Sequence, residues 1–191
     1  VLDSLIATVY TRYQNPATII LTASGEIHVH LRARCRTVDE AETLLDEVDN
    51  QVSALLGDRI YSRDGEDLES TTGALLRARG ASLSVAESCT GGLVAERITS
   101  VPGSSDYFRG GFLVYTNEMK TSLLGVDPEL IAAHTAVSEP VARAMAESAR
   151  ERTGSTYALS VTGYAGPDGD PPGLVFIGLA TPQQTPVRRI D

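Results

Sequence analysis

Lysine is nearly absent from this chain: Lys120 stands alone against fifteen arginines in 191 residues. Tryptophan is missing, and there are two cysteines, two methionines and three histidines. Cys35 and Cys89 are too few for a disulfide framework or a zinc site, so both read as reduced thiols. His28 and His30 share one strand face but have no third and fourth partner, so they read as a solvated face, and no metal is expected. No apolar run approaches the roughly 18 residues a membrane span needs, and the N-terminus lacks the zones of a signal peptide. A cytoplasmic protein with no membrane association is expected. Positive charge is short as well, for the net charge is −9. Residues 1–70 hold 13 acidic against 6 basic side chains, whereas 71–191 hold 12 against 10. Phosphate backbones are bound by basic faces, so nucleic acid is not an expected partner.

Two nucleotide motifs are also missing. A Walker A loop places Gly directly before its Lys, and here Met119 precedes Lys120. There is no G-x-G-x-x-G, which removes support for nicotinamide-dependent redox chemistry on a dinucleotide fold. No cofactor is expected.

What is present gives the single lysine a meaning. Arginine supplies charge wherever charge alone is needed, but a guanidinium does not release its proton at working pH. A lysine becomes a general base once burial lowers its pKa from about 10.4. Lys120 is therefore a candidate catalytic group.

The hydrophobic pattern divides the chain near residue 66. In the first part, a helix over Leu2–Tyr13 is stopped by Asn15-Pro16. Thr18–Thr22 and Glu26–Arg34 form a hairpin around Ser24-Gly25, with Ile27, Val29 and Leu31 on one face. Thr37 caps a helix over Val38–Leu56 whose inner face carries Ala41, Leu44, Leu45, Val48, Val52 and Leu55. A short strand is expected at Arg59–Tyr61. Residues 67–191 then alternate helix and strand: helix Leu68–Arg79, strand Ser82–Ala86, a helix after Gly91-Gly92 and strand Gly111–Tyr115. Short helices at Glu118–Leu124 and Asp127–Ala133 follow, then a helix capped by Ser138 and running to Arg152. Strands at Thr156–Thr162 and Leu174–Thr181 come last, separated by the loop Gly163–Gly173. Strands separated by helices predict a three-layer α/β/α sheet domain, with function at the strand ends. The final residues read as the end of a strand with no closing element, and the chain begins with Val, so a piece of a longer chain is expected.

Three strand ends carry polar or glycine-rich turns. In Ala86-Glu87-Ser88-Cys89-Thr90-Gly91-Gly92, a strand stops and a helix opens, giving Ser88 an exposed hydroxyl and turning the N–H groups of Thr90, Gly91 and Gly92 outward. The same residues also suit an ordinary helix N-cap. Cys89 is the competing nucleophile, but no histidine lies near it in sequence to serve as its base. In Tyr115-Thr116-Asn117-Glu118-Met119-Lys120, a strand end enters the helix that carries the lysine. If the two strands are neighbours, Lys120 meets Ser88. Ser160-Val161-Thr162-Gly163 leads into Tyr164-Ala165-Gly166-Pro167-Asp168-Gly169, whose small residues let a ligand approach the backbone. Asp168 and Asp170 suit a cation, but Asp-Gly-Asp-Pro-Pro is first a turn sequence.

These motifs, with Gly111-Phe112 and Ala136-Val137-Ser138-Glu139-Pro140-Val141, resemble in order the C-terminal domain of the bacterial CinA family, which includes nicotinamide-mononucleotide deamidases. The resemblance spans about Leu68–Asp191. Residues 1–66 look like the small α+β KH-like module that precedes this domain. They contain no G-x-x-G, the RNA clamp of a true KH domain. The further N-terminal domain of the full-length family, which resembles molybdopterin-binding proteins and is linked to ADP-ribose pyrophosphatase activity, has no counterpart in this sequence.

The resemblance implies an amidohydrolase that converts nicotinamide mononucleotide to nicotinic acid mononucleotide and ammonia. Ser88 is then the nucleophile, Lys120 its base and Tyr115 a supporting hydrogen-bond partner. Thr90, Gly91, Gly92, Asn117, Thr162 and Gly163 are the implied substrate contacts. The family pattern continues with Phe-Pro-Gly-Asp-Arg and a closing helix, which lie beyond Asp191. The alternative is a non-catalytic nucleotide- or partner-binding module in which Ser88 only caps a helix. A homo-oligomer is compatible with either reading.

Overall fold

The computed structural model describes residues 2–23, 25–167 and 171–191, which form two units, Val1–Leu68 and Glu69–Asp191. Ser24 of the expected hairpin turn and the Asp168/Asp170 pair lie outside the described residues.

In the first unit, helix α1 (Leu2–Tyr10) buries Ile6 and Val9. It is three residues shorter than expected, and Thr11, Arg12 and Tyr13 continue it only as turns. Strands β1 (Ala17–Ala23) and β2 (Glu26–Arg32) pair antiparallel with Ala17 opposite Arg32 and Ala23 opposite Glu26. Helix α2 (Val38–Leu56) is closed at its start by Thr37 Oγ1, which accepts from Glu40 N at 3.2 Å. Its buried stripe is Val48, Val52 and Leu56, and Leu55 is exposed. Strict i, i+4 spacing turns the stripe one residue past the expected Leu55. Val29 and Leu31 of β2 pack on this stripe with Ile20, while Ile27, next to the hairpin turn, stays exposed. The strand expected at Arg59–Tyr61 does not form. A 3-10 turn spans Gly57–Arg59, and the sheet of this unit contains β1 and β2 alone among the described residues. A strand needs a hydrogen-bonded neighbour, and here Ile60 packs on the core instead.

The second unit is a five-stranded sheet in the order β4-β3-β5-β6-β7. Its elements are helix α3 (Leu68–Ala78), strand β3 (Leu83–Glu87), helix α4 (Leu93–Thr99), strand β4 (Phe108–Leu113) and helices α5 (Asn117–Leu124), α6 (Pro128–His134) and α7 (Glu139–Thr153), followed by strands β5 (Tyr157–Gly163), β6 (Val175–Ala180) and β7 (Val187–Ile190). β3 is parallel to both β4 and β5, and β6 and β7 join antiparallel. Every residue of β3 is buried, as a strand covered on both faces requires.

Two cores lie on opposite faces of the sheet. Ala86 and Ala158 pack with Leu124, Ile131, Val141, Met145 and Ala149 from α5, α6 and α7, while Leu83 packs with Leu76 and Tyr107 and with Ile98 of α4. The result is the expected α/β/α layering. β4 begins three residues before the predicted strand and ends two before its predicted end. Gly110 and Gly111 weaken the strand pattern in the sequence, yet Gly111 is required, since a Cβ there would lie 2.3 Å from Val85 Cγ2 and 2.8 Å from Val85 O. Ser138 heads α7, but its hydroxyl turns back to donate to Thr135 O at 2.9 Å and does not cap the helix. No helix among the described residues is long and apolar enough to cross a membrane.

Candidate active site

The parallel arrangement of β4, β3 and β5 brings their C-terminal ends to one edge of the sheet. There the backbone of the Ser88 turn is pegged on both sides: Val114 N donates to Glu87 O at 2.8 Å, and Ser88 N donates to Val161 O at 3.0 Å. Contrary to the sequence expectation, Ser88 is not exposed. It is only 6% accessible, because the chain folds directly back into α4.

Lys120 reaches this serine from α5. Thr116 caps that helix, its Oγ1 accepting from Met119 N at 3.3 Å, and the lysine falls on the inward face one turn later. Lys120 is 2% exposed, and its Nζ lies 3.0 Å from Ser88 Oγ, 3.1 Å from Val114 O and 3.5 Å from Tyr115 O. No ion pair of Lys120 exists among the described residues. Burial lowers its pKa below the ordinary lysine value, and the nearby Cys89 opposes this more weakly. The two carbonyls only accept, so they fix two N–H groups of the amine. The third direction faces Ser88. Nζ donates along it to Ser88 Oγ, and loss of that proton would leave a lone pair aimed at the serine hydroxyl.

β4 ends at Leu113 because that residue lies opposite Glu87, the last residue of β3. Just beyond it, the carbonyls of Val114 and Tyr115 accept from Nζ.

The other expected site residues are distributed unevenly. Tyr115 is 70% exposed, and its link to the pair is its carbonyl rather than its phenol. Asn117 is exposed and lines a groove of about 570 Å³ between α5 and α6 with Thr121, Ile131 and Ala132. No hydrogen bond joins it to Ser88 or Lys120 among the described residues. Thr162 is buried at the end of β5, and its hydroxyl donates to Ala136 O at 2.8 Å. This bond ties β5 to the loop before α7, in which Thr135 holds a φ of 66°, a region costly for a β-branched residue. Gly163 completes β5 opposite Val175, where a Cβ would meet Leu174 O at 2.8 Å.

In the turn itself, Gly91 N donates to Ser88 O at 3.1 Å and Gly92 N to Glu87 Oε2 at 3.1 Å. Neither N–H is free for a ligand, which corrects the outward reading of Gly91 and Gly92. Thr90 keeps a hydroxyl that is shut off from solvent and has no hydrogen-bond partner among the described residues. Cys89 is half-buried, and burial raises its thiol pKa, with its own N–H, Lys120 and the Thr90 N–H opposing. It is held as the thiol, which weakens it as a competing nucleophile.

The sequence reading gave Glu87 no role, yet it is buried and accepts three backbone N–H bonds. A carboxylate ending an apolar strand, five residues before a glycine that opens a helix, was the available signal. A buried charge needs donors, and helix starts offer them.

With this geometry, the comparisons with known proteins are specific. Residues 65–191 match the family described as the CinA C-terminal domain, and residues 1–62 match the damage-inducible protein CinA KH domain. The chain belongs to the CinA family. A CinA-like protein of Solibacter usitatus is 57% identical over 183 residues, covering 94% of this chain and 44% of that relative. Among solved structures, the CinA superfamily protein from Escherichia coli matches with TM-score 0.64 at 30% identity, covering 71% of this chain and 84% of that one. The competence/damage inducible protein CihA from Agrobacterium tumefaciens matches with TM-score 0.63 at 36% identity, covering 68% and 82%. The chain spans less than half the length of the CinA-like relatives it matches.

Proposed function

We propose that this CinA-family chain hydrolyses a carboxamide through Ser88 and Lys120, with nicotinamide mononucleotide as the substrate. The observation that carries this reading is the buried Lys120 amine 3.0 Å from Ser88 Oγ, with two carbonyls holding its other hydrogens. Neutral Lys120 takes the Ser88 proton as Oγ attacks the carboxamide carbon. The tetrahedral intermediate collapses, the C–N bond breaks, and the proton on Lys120 leaves with ammonia. Lys120 then deprotonates a water that attacks the acyl-serine, the acyl–Oγ bond breaks as Lys120 returns the proton to Ser88 Oγ, and nicotinic acid mononucleotide departs. The unpartnered Thr90 hydroxyl supports a polar ligand at this turn, because a buried hydroxyl left unpaired costs about 1–3 kcal/mol.

The test is ammonia release from nicotinamide mononucleotide, nicotinamide and glutamine by the full-length protein. Release from the mononucleotide that falls at least about 100-fold in Lys120→Arg is expected, since the arginine keeps the charge and removes the base. Near-normal turnover by that variant sinks the mechanism. Equal loss of affinity and turnover in Ser88→Ala favours a binding module instead.

A further inference from the structure

Glu87 ends β3 on the face beneath α4 and is 2% exposed. Three N–H groups donate to its carboxylate: Gly92 to Oε2 at 3.1 Å, Val94 to Oε2 at 3.0 Å and Ala95 to Oε1 at 2.8 Å. No basic side chain pairs with it among the described residues, so these amides take the place of a cation. The bonds close a ring from residue 87 to residues 92–95, and Ser88 sits inside that ring. The opening N–H groups of α4 are thus occupied from within. With Gly91 N on Ser88 O, the backbone of the turn is held at residues 88, 91 and 92.

We propose that Glu87 is a positioning residue for the Ser88/Lys120 pair. Its carboxylate fixes the turn so that Ser88 Oγ meets Nζ. This rests on the amidase reading, but its geometry concerns the nucleophile alone. A probe of the nucleophile therefore separates the two.

The experiment compares the full-length protein with Glu87→Gln and Val94→Pro. Gln keeps the shape and places an NH2 against amide donors. Val94→Pro keeps the carboxylate and removes one donor, in a first helical turn where Pro is tolerated, as Pro140 is in α7. Four quantities are read: melting temperature, kcat and KM for ammonia release, and the rate of Ser88 labelling by phenylmethanesulfonyl fluoride. In that labelling the Oγ–S bond forms, the S–F bond breaks, fluoride leaves and Lys120 takes the serine proton.

Glu87→Gln is expected to lower kcat and labelling together, on the order of 100-fold, with KM within about twofold, the signature of a displaced nucleophile. Val94→Pro is expected to lower both by about tenfold and serves as the test if Glu87→Gln does not fold. Wild-type kcat and labelling in the folded variants overturn the proposal, as does a loss confined to KM. Slowed labelling without any ammonia release by the wild type upholds the positioning role and rejects the substrate. Absence of Ser88 labelling in the wild type removes the Ser/Lys pair, and the proposal with it.

Discussion

An amine sealed into protein without an acid partner works against folding, and that opposition has a sign that can be measured. Burial lowers the Lys120 pKa in the folded chain below its unfolded value of about 10.4. Between those two values the unfolded chain carries a proton that the folded chain lacks. Unfolding therefore takes up a proton in that window, and stability rises with pH through it, by about 1.4 kcal/mol for each pH unit between the two values. Below the lowered pKa the whole penalty is present. Lys120→Met removes the titrating group and keeps the volume. It is expected to raise the melting temperature at neutral pH and flatten this rise while abolishing ammonia release. A variant less stable than wild type at pH 7, or with an unchanged pH slope, contradicts the buried neutral amine. If Lys120 is the base, kcat/KM is expected to rise with pH through the lowered pKa rather than through the value of a free lysine.

Two elements exist to hold that amine in place. β4 runs against β3 so closely that Gly111 leaves no room for a side chain over the Val85 carbonyl, 2.8 Å from a Cβ there. Gly111→Ala is expected to lower the stability of the second unit by about 1–3 kcal/mol in urea unfolding, and Val85→Ala is not expected to restore it, because the carbonyl remains. Helix α5 starts at the Thr116 cap. Thr116→Ala is expected to cost about 1 kcal/mol and to lower kcat more than it raises KM, since the helix start sets the position of Lys120 one turn on. A pure stability loss with wild-type kcat assigns the cap to folding alone. The order of these elements was legible from hydrophobic periodicity and from helix-ending glycines such as Gly57 and Gly80. The bounds of β4 were not, because two glycines hide a strand whose neighbour demands one of them, Gly111. Ser138 reads as a cap by residue type, but whether its hydroxyl turns forward to the helix or back depends on the carbonyl of Thr135, three residues earlier, whose direction residue type does not give.

At the scale of the whole molecule, the sequence pointed to the Ser88 and Lys120 pair that the fold brings together but misjudged the exposure of Ser88. Ser88 and Lys120 were legible because one residue type was too scarce to be incidental and because strand ends recur with polar turns. The burial of Ser88, the turning away of Tyr115 and the engagement of Gly92 by Glu87 were not, since each depends on how separate strands meet. The charge distribution, by contrast, needs no coordinates. The KH-like unit belongs to a fold class associated with RNA, yet residues 1–70 carry 13 acidic against 6 basic side chains and no G-x-x-G. Backbone binding is driven by counterion release from phosphates met by cations, and this surface supplies few. The full chain is therefore expected to bind single-stranded RNA no tighter than about 10⁻⁴ M at 0.15 M salt, the weak end of non-specific binding. Fluorescence anisotropy against salt concentration decides it: tighter binding whose logarithm falls linearly with log salt would show a cationic groove that the composition does not provide.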